Sequence, residues 1–188
     1  MALESFMVQL GTPAPEFTLP SVGGEKVSLD SFGGEPALLV MFLSNHCPYV
    51  RHVERGLGAV TAELRSQGLA SLAICSNDIG NYPDDDAEHL RQQARRARFE
   101  FPYLIDESQD VARAYHAACT PDLFLYDADR RLAYRGEFDA ARPGNAKPVD
   151  GATLRAAFEL VLAGRPVPEP HTPSIGCGIK WKPGSEPR

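Results

Sequence analysis

Apolar residues follow two patterns along this chain, and the patterns alternate. Short continuous apolar runs are typical of strands buried on both faces of a sheet, and they predict strands over 37–43, 69–75, 103–105 and 123–126. Elsewhere apolar residues recur every three or four positions, which predicts amphipathic helices. The longest such stretch begins at Pro48 and ends at Gly68, with Val50, Val53, Leu57, Val60 and Leu64 on one face. Alternating strands and helices of this kind indicate an α/β domain.

Connections between these elements predict a mixed sheet. The strand–helix–strand unit from 37 to 75 requires a right-handed parallel crossover. The turn Asp127–Arg130 leads into a further strand over 132–138, so the later strands are expected to pair antiparallel. Short edge strands are expected before residue 30, a short helix over 108–117, and a closing amphipathic helix over 154–162.

Two polar or irregular stretches need an interpretation of their own. Asp84–Asp86 precede an Arg-rich stretch, 91–98, and the pattern favours a helix capped by aspartate and ended by arginines over an acidic metal site. After Gly164 the chain is rich in proline, yet it carries the only tryptophan and a cysteine. We therefore expect a domain at 1–164 and a tail, 165–188, that packs on it.

Composition narrows the function classes. The 188 residues suffice for one domain with a real core, and a net charge of −6 gives no reason to expect nucleic acid or anionic membrane as a partner. No apolar stretch approaches the roughly 18 residues of a membrane span, and no basic leader precedes an apolar core, so a cytoplasmic protein is expected. Four unevenly spaced cysteines indicate transient redox chemistry rather than a structural disulfide framework.

Cys47 is the most informative residue for chemistry. It stands between the strand 37–43 and the helix that starts at Pro48, where unpaired N–H groups and the helix dipole favour thiolate over thiol. The segment resembles the active-site segment of the thioredoxin superfamily, whose motif is Cys-x-x-Cys with proline commonly second. Val50 occupies the position of the second cysteine. Any second thiol must therefore come from elsewhere in the chain.

Three further motifs extend the resemblance. The opening Gly-x-x-Ala-Pro-x-Phe-x-Leu and the order of elements are similar to the peroxiredoxin and thiol-disulfide oxidoreductase group, over most of residues 9–163. Narrower likeness to a peroxiredoxin-like subgroup lies in 45–50, 119–122 and the ending Ser-Ile-Gly-Cys at 174–177. The resemblance implies a thioredoxin fold, with a central mixed sheet flanked by helices, an N-terminal β-extension and a Pro-rich tail.

Pro121 matters most among the positions carried over from the family. In thioredoxin-fold proteins a cis proline begins the strand that faces the active-site cysteine, and Thr120-Pro121 occupies that place here. The alternative is a trans proline opening an ordinary strand. The resemblance implies that Thr120 and Pro121 frame a substrate groove, while His46 and Pro48 support the Cys47 thiolate.

Peroxidase motifs are only half present. Peroxiredoxins carry Pro-x-x-x-Thr/Ser-x-x-Cys and a distant arginine, whereas here Ser44 is in place but Val40 stands where the proline belongs. The position of the family's arginine would fall close to Pro121, where thioredoxin-like proteins have their cis proline instead. Efficient peroxide reduction is therefore disfavoured, and a slow thiol peroxidase stays an alternative. The polar stretch 134–145 is expected to border the site. Within it, Arg135 or Arg142 is a candidate to supply positive charge near the thiolate, but the favoured interpretation of each is a solvated arginine.

The sequence leaves the second thiol open. Cys119 is the favoured resolving cysteine because it lies two residues before Pro121, Cys177 on the tail is second, and no internal partner is a third alternative. Cys75 ends a buried strand and is interpreted as a packing residue. A rival class is a non-catalytic module that binds a protein partner or holds copper or zinc through Cys47, Cys119, His46 and His52.

The position of Cys47 and the family resemblance together imply a cytoplasmic thiol-disulfide oxidoreductase that acts on protein or small-molecule thiols and disulfides without a cofactor or metal. Cys47 is the expected nucleophile, with Cys119 or Cys177 resolving the mixed disulfide.

Overall fold

The computed structural model describes residues 2–187. Its strands are β1 Ala2–Glu4, β2 Thr18–Pro20, β3 Lys26–Ser28, β4 Ala37–Phe42, β5 Leu69–Cys75, β6 Tyr103–Ile105, β7 Cys119–Thr120, β8 Asp122–Tyr126, β9 Leu132–Gly136 and β10 Ile175–Gly178. Its helices are α1 Pro48–Arg65, α2 Ala87–Ala97, α3 Asp110–Ala114 and α4 Ala152–Leu162, with 3₁₀ turns at Leu29–Phe32 and Pro83–Asp85.

A five-stranded mixed sheet forms the centre of the molecule, in the order β6-β5-β4-β8-β9. β4, β5 and β6 run parallel, whereas β8 and β9 are antiparallel to their neighbours. The predicted parallel crossover and the predicted hairpin are both confirmed. β2 and β3 form a separate hairpin at the N-terminal side.

Every residue of β4 is buried because the sheet is covered on both faces. Alternate residues of the strand face opposite sides, so Leu39 and Met41 pack with α1 and α4, while Val40 and Phe42 pack with α3 and the N-terminal strands. A continuous apolar run is the expected sequence for such a strand. The resulting α/β architecture confirms the predicted fold class.

α1 begins where the sequence indicates. Pro48 occupies its first turn, where a missing N–H costs no hydrogen bond, and the predicted apolar positions Val50 to Leu64 are buried on one face. Gly58 brings α1 close to the end of α2, because a Cβ there would lie 2.1 Å from the carbonyl oxygen of Ala97. Gly68 follows the helix with a φ of +102°, which favours glycine.

Two predicted boundaries were too wide. The helix expected over 108–117 covers only Asp110–Ala114, since Gln109 precedes it with a φ of +65°. The strand expected over 132–138 ends at Gly136, because Glu137 donates its backbone N–H to Thr172 of the tail instead of continuing the ladder.

The C-terminal segment returns to the domain. β10 lies between β1 and β7 in a small antiparallel sheet, and Ile179 and Trp181 pack against the second face of the central sheet. Beyond the strand, Asn77 Oδ1 accepts a hydrogen bond from the backbone N–H of Lys180 at 2.8 Å. Among the helices of residues 2–187, none combines the length and apolarity needed to cross a lipid bilayer.

Candidate active site

Cys47 lies at the junction of β4 and α1, as its N-cap residue. The residue is fully buried, and its Sγ donates a hydrogen bond of 3.1 Å to the carbonyl oxygen of Thr120. Its surroundings place the sulfur at the positive end of an 18-residue helix, where negative charge is stabilised. The thiol is therefore held between the start of α1 and one backbone edge.

That backbone edge is β7. The Thr120–Pro121 peptide bond is cis, and the Thr120 hydroxyl lies 3.2 Å from Ser44 Oγ, a side chain that is also buried. This contact holds β7 against the residues that follow β4. Pro121 lines a small cavity together with Tyr49, Phe138 and Arg142, so the stretch 134–145 borders the site as expected.

Cys177 reaches the same place from the tail. It stands directly opposite Thr120 in the ladder between β10 and β7, and it packs against the core cluster that contains Cys47. Burial, and then interaction with the Cys47 side chain, raise the pKa of the Cys177 thiol to about 11. Two thiols therefore approach one another at Thr120, one from the helix and one from the tail.

Cys119 lies next to Thr120 but in different surroundings. Its Sγ is 3.6 Å from the Pro121 carbonyl oxygen and 4.0 Å from that of Ser174, and the residue is fully buried. Burial raises the pKa of this thiol strongly, and the charge of Asp122 raises it further. Cys75 is also buried at the end of β5, with a pKa raised by burial.

His46 is anchored by a carboxylate that sequence reasoning missed. Asp85 is fully buried, and its Oδ2 lies 2.6 Å from His46 Nδ1. Its oxygens also accept hydrogen bonds from the backbone N–H of Asn45 at 2.7 Å, that of His46 at 3.2 Å and the Asn77 amide at 2.7 Å. Burial opposes ionisation of Asp85, but the hydrogen bonds from His46 and Asn77 outweigh it and hold its pKa below the ordinary value.

The interpretation of the aspartate triplet as helix caps was therefore correct for one residue and wrong for another. Asp86 caps α2 by accepting the backbone N–H of His89 at 2.9 Å, as expected. Asp85 instead turns inward and holds the segment before Cys47. The imidazole of His46 also stacks on Tyr82, with ring centroids 5.5 Å apart. This packing fixes the plane of the ring.

The favoured interpretation of Arg135 as a solvated arginine was wrong. It lies in β9 with no exposed surface, forms a 3.0 Å ion pair with Asp122, and places its guanidinium 4.3 Å from the centre of the Phe124 ring. Burial raises the pKa of Asp122 to about 6, with Arg135 opposing the rise. Arg142 binds Glu137 at 2.5 Å and two backbone carbonyls. The guanidinium groups of both arginines are thus engaged with partners other than Cys47.

Of the four residues considered for metal binding, His52 lies in α1, and its Nε2 is buried without a hydrogen-bond partner. Within residues 2–187, no group of three or more His, Cys, Asp or Glu side chains is arranged to hold a metal ion.

Comparison with known proteins identifies the family. A model of the AhpC/TSA family matches residues 10–135, which is more than half of the chain. The chain belongs to the AhpC/TSA family. Its fold is thioredoxin-like, and its neighbours within and around this family are peroxiredoxins and thiol-disulfide oxidoreductases.

Two solved structures of high similarity cover nearly the whole chain. A conserved protein from Geobacillus kaustophilus has a TM-score of 0.94 at 46% identity, covering 98% of both chains. A hypothetical protein from Sinorhizobium meliloti 1021 has the same TM-score at 49% identity, covering 96% of this chain and 99% of the other. Both matches therefore extend through the tail as well as the family domain.

More distant relatives share only part of the chain or the fold alone. "Probable glutathione peroxidase 2" of Arabidopsis thaliana is 31% identical over 88 residues, which is 46% of this chain and 52% of the relative. This chain thus spans about half the length of that relative. A thiol:disulfide interchange protein of the thioredoxin family from Chlorobium tepidum has a TM-score of 0.63 at 19% identity, covering 83% and 99% of the two chains.

Proposed function

We propose that this protein is a thiol-disulfide oxidoreductase in which Cys47 is the nucleophile and Cys177 the resolving cysteine. One observation supports this above all: the Cys47 sulfur and the Cys177 strand meet at Thr120. Family membership agrees with thiol chemistry in general, and the choice of cysteines rests on geometry. The cytoplasmic location stays a prediction.

The reaction follows from two exchanges at sulfur. The Cys47 thiolate attacks one sulfur of a substrate disulfide, forming a mixed disulfide and releasing the first substrate thiol. Cys177 then loses its proton and attacks Cys47 Sγ, which forms the Cys47–Cys177 disulfide and releases the second thiol. Two electrons have passed from the protein dithiol to the substrate. An external thiol or dithiol must reduce the protein to close the cycle, and in reverse the same steps oxidise a substrate dithiol.

The environment of Cys47 suits the first exchange. Cys47 stands at the N-terminus of α1, where the helix dipole stabilises negative charge that develops in the reaction, and His46, fixed by Asp85, precedes it in the chain. Because Nδ1 of the imidazole is bound to Asp85, Nε2 is the ring nitrogen left to exchange a proton with a departing thiol. Thr120 supplies a carbonyl oxygen that holds Cys47 Sγ until a substrate arrives.

Cys177 is a better resolving residue than Cys119, which the sequence favoured. The Cys177 thiol is in hydrogen-bond contact with the Cys47 side chain, and this contact helps to raise its pKa. Cys47 acts on the Cys119 thiol only as a minor charge, and the Cys119 sulfur has its contacts with the carbonyl oxygens of Pro121 and Ser174. Cys177 is also half-buried, while Cys119 is fully buried. A partly exposed strand can adjust to the short sulfur–sulfur distance of a disulfide more easily than the fully buried β7.

Disulfide exchange is favoured over peroxide reduction for a structural reason. Ser44, which corresponds to the hydroxyl residue of the peroxidase motif, directs its hydroxyl at Thr120, and Arg135 is bound to Asp122. The Ser44 hydroxyl and one guanidinium nitrogen of Arg135 are thus engaged within the fold, while Nε and Nη1 of Arg135 are buried without a hydrogen-bond partner. Without positioned donors for the transferring oxygen, peroxide reacts with a thiolate only slowly.

The test compares three serine variants in the reduction of oxidised glutathione or a disulfide-bonded peptide, with dithiothreitol as the electron source. Cys47→Ser should abolish catalysis, and Cys119→Ser should turn over like the native chain. Cys177→Ser should accumulate the mixed disulfide in a single turnover of the reduced protein, before dithiothreitol is added. Catalysis by Cys47→Ser equal to the native rate would refute the proposal. Sustained turnover of hydrogen peroxide faster than of disulfides would replace it with a thiol peroxidase.

A further inference from the structure

The backbone edge beside Cys47 is already occupied. A strand edge next to a nucleophilic thiol offers unpaired N–H and C=O groups to any extended segment that brings a sulfur to it. Here β10 pairs along that edge, with Cys177 opposite Thr120 and Gly178 opposite Cys119. Cys47 has no exposed surface, and the Cys177 side chain of β10 is in contact with it.

The fit between β10 and β7 depends on one glycine. A Cβ added at Gly176 would lie 1.9 Å from the Thr120 carbonyl oxygen and 2.6 Å from its carbonyl carbon, both rigid backbone atoms. At Gly178, two residues along the same strand, the nearest atom is 2.8 Å away and belongs to the Leu3 side chain. The close approach is therefore made at residue 176, where any larger side chain would push the strand away from the site.

The ladders that hold β10 are short. Among the described residues, the strand pairs with β7 over two residues and with β1 over three exposed ones. At its two ends, Ser174 Oγ donates to the Gly136 carbonyl oxygen at 2.7 Å and the Ile179 N–H donates to the Ala118 carbonyl oxygen at 3.1 Å, so displacement of the strand must break these contacts as well. After the strand, Lys180 is tied to Asn77, and the same Asn77 side chain donates to Asp85, which holds His46. The anchor of the tail and the support of the active site thus share one amide.

We propose that β10 is a displaceable strap: it holds the Cys119–Thr120 edge in the resting protein and is exchanged for an extended, cysteine-containing segment of the substrate. This proposal rests on the proposed function and adds the class of partner. A peptide segment that takes the full place of β10 pairs with Thr120 as Cys177 does, and it needs a small residue in the place of Gly176. A small disulfide such as oxidised glutathione needs only the opening of the strap and no pairing with this edge.

Alkylation of Cys47 in the reduced protein tests the strap without depending on catalysis. Iodoacetamide modification is followed for each cysteine by peptide mass spectrometry in the native chain, Gly176→Ala and the matched control Gly178→Ala. We expect Cys47 to react about tenfold faster in Gly176→Ala, because overpacking displaces the strand, and within about twofold of native in the control. Equal rates in all three proteins would overturn the proposal.

Hydrogen exchange of the native chain gives a second test that needs no variant. The backbone amides of residues 175–179 should exchange at least about 100-fold faster than those of β5, because a strap opens without unfolding the sheet. Exchange as slow as in β5 would make β10 a permanent part of the core and refute the strap. If the strap opens in both tests while Cys47 reduces no disulfide, the strap stands and the proposed function falls.

Discussion

Asp85 provides the sharpest test of how the active site is held. Replacing it by alanine removes the acceptor for Asn45 N, His46 N, His46 Nδ1 and Asn77 Nδ2, all of which are within 3.2 Å of its oxygens. A hydrogen bond to a charged group contributes about 1.5–3 kcal/mol, and water admitted to the vacated space recovers part of that. We therefore expect Asp85→Ala to lower the free energy of unfolding by about 4 kcal/mol at pH 7.

The neighbouring Asp86 is the matched control. Its side chain is 44% exposed and accepts the N-cap hydrogen bond of α2, so Asp86→Ala should cost much less than Asp85→Ala. Urea unfolding followed by circular dichroism measures both variants against the native chain. The reasoning is refuted if Asp85→Ala costs no more than Asp86→Ala.

The cost of Asp85→Ala should also depend on pH. The folded state holds the pKa of Asp85 below its ordinary value of 3.8, so the carboxylate binds fewer protons folded than unfolded. Its stabilising contribution is therefore fully present above pH 4 and is lost as the pH falls through the folded pKa. The difference between native and Asp85→Ala should shrink in acid, whereas a difference constant from pH 7 to pH 3 would contradict the assignment.

Two further predictions concern the buried charges and the tail thiol. Arg135→Met should lower the free energy of unfolding by about 3 kcal/mol, because it leaves Asp122 buried without its partner, and the double variant with Asp122→Leu should be more stable than Arg135→Met in urea unfolding. Alkylation of Cys177 should keep accelerating up to about pH 11, since burial and Cys47 raise its pKa to about 11, and a plateau reached by pH 9 would contradict this. In Cys47→Ser the plateau of Cys177 should move to lower pH.

The elements that sequence patterns predicted well are those buried by local periodicity. β5 and β6 have the predicted bounds, and α1 differs only at its last turn, because a continuous run or a three-four spacing is enough to specify each of them. The placement of Cys47 between a strand and a helix was predicted for a similar reason, since both flanking elements are visible in the chain. These signals are local, and local signals survive in a single sequence.

The missed residues depend on contacts between distant segments. Asp85 sits in an acidic triplet that looks like a helix cap, and its partners Asn45 and Asn77 lie at the ends of two different strands. One signal was available: the carboxyl ends of parallel β4 and β5 meet at one edge, so polar residues after both strands indicate a site there. Arg135 offered no such signal, because a buried ion pair with Asp122 depends on the register of β8 and β9.

For the tail, too, the sequence predicted one feature and missed another. Its tryptophan, cysteine and isoleucines predicted that it would return to the domain, since a solvated tail has no need of them. Its register does not follow from composition: pairing Cys177 with Thr120 requires Gly176 against the Thr120 carbonyl, a contact across 56 residues of chain. For this reason the sequence ranked Cys119 above Cys177.

Disulfide mapping tests the central claim most directly. Fully reduced protein is treated with one equivalent of oxidised glutathione, quenched by alkylation, and digested for peptide mass spectrometry. The account predicts a Cys47–Cys177 crosslink in the native chain and a Cys47–glutathione adduct in Cys177→Ser. A Cys47–Cys119 crosslink in the native chain, or Cys47 recovered alkylated as a free thiol, would contradict it.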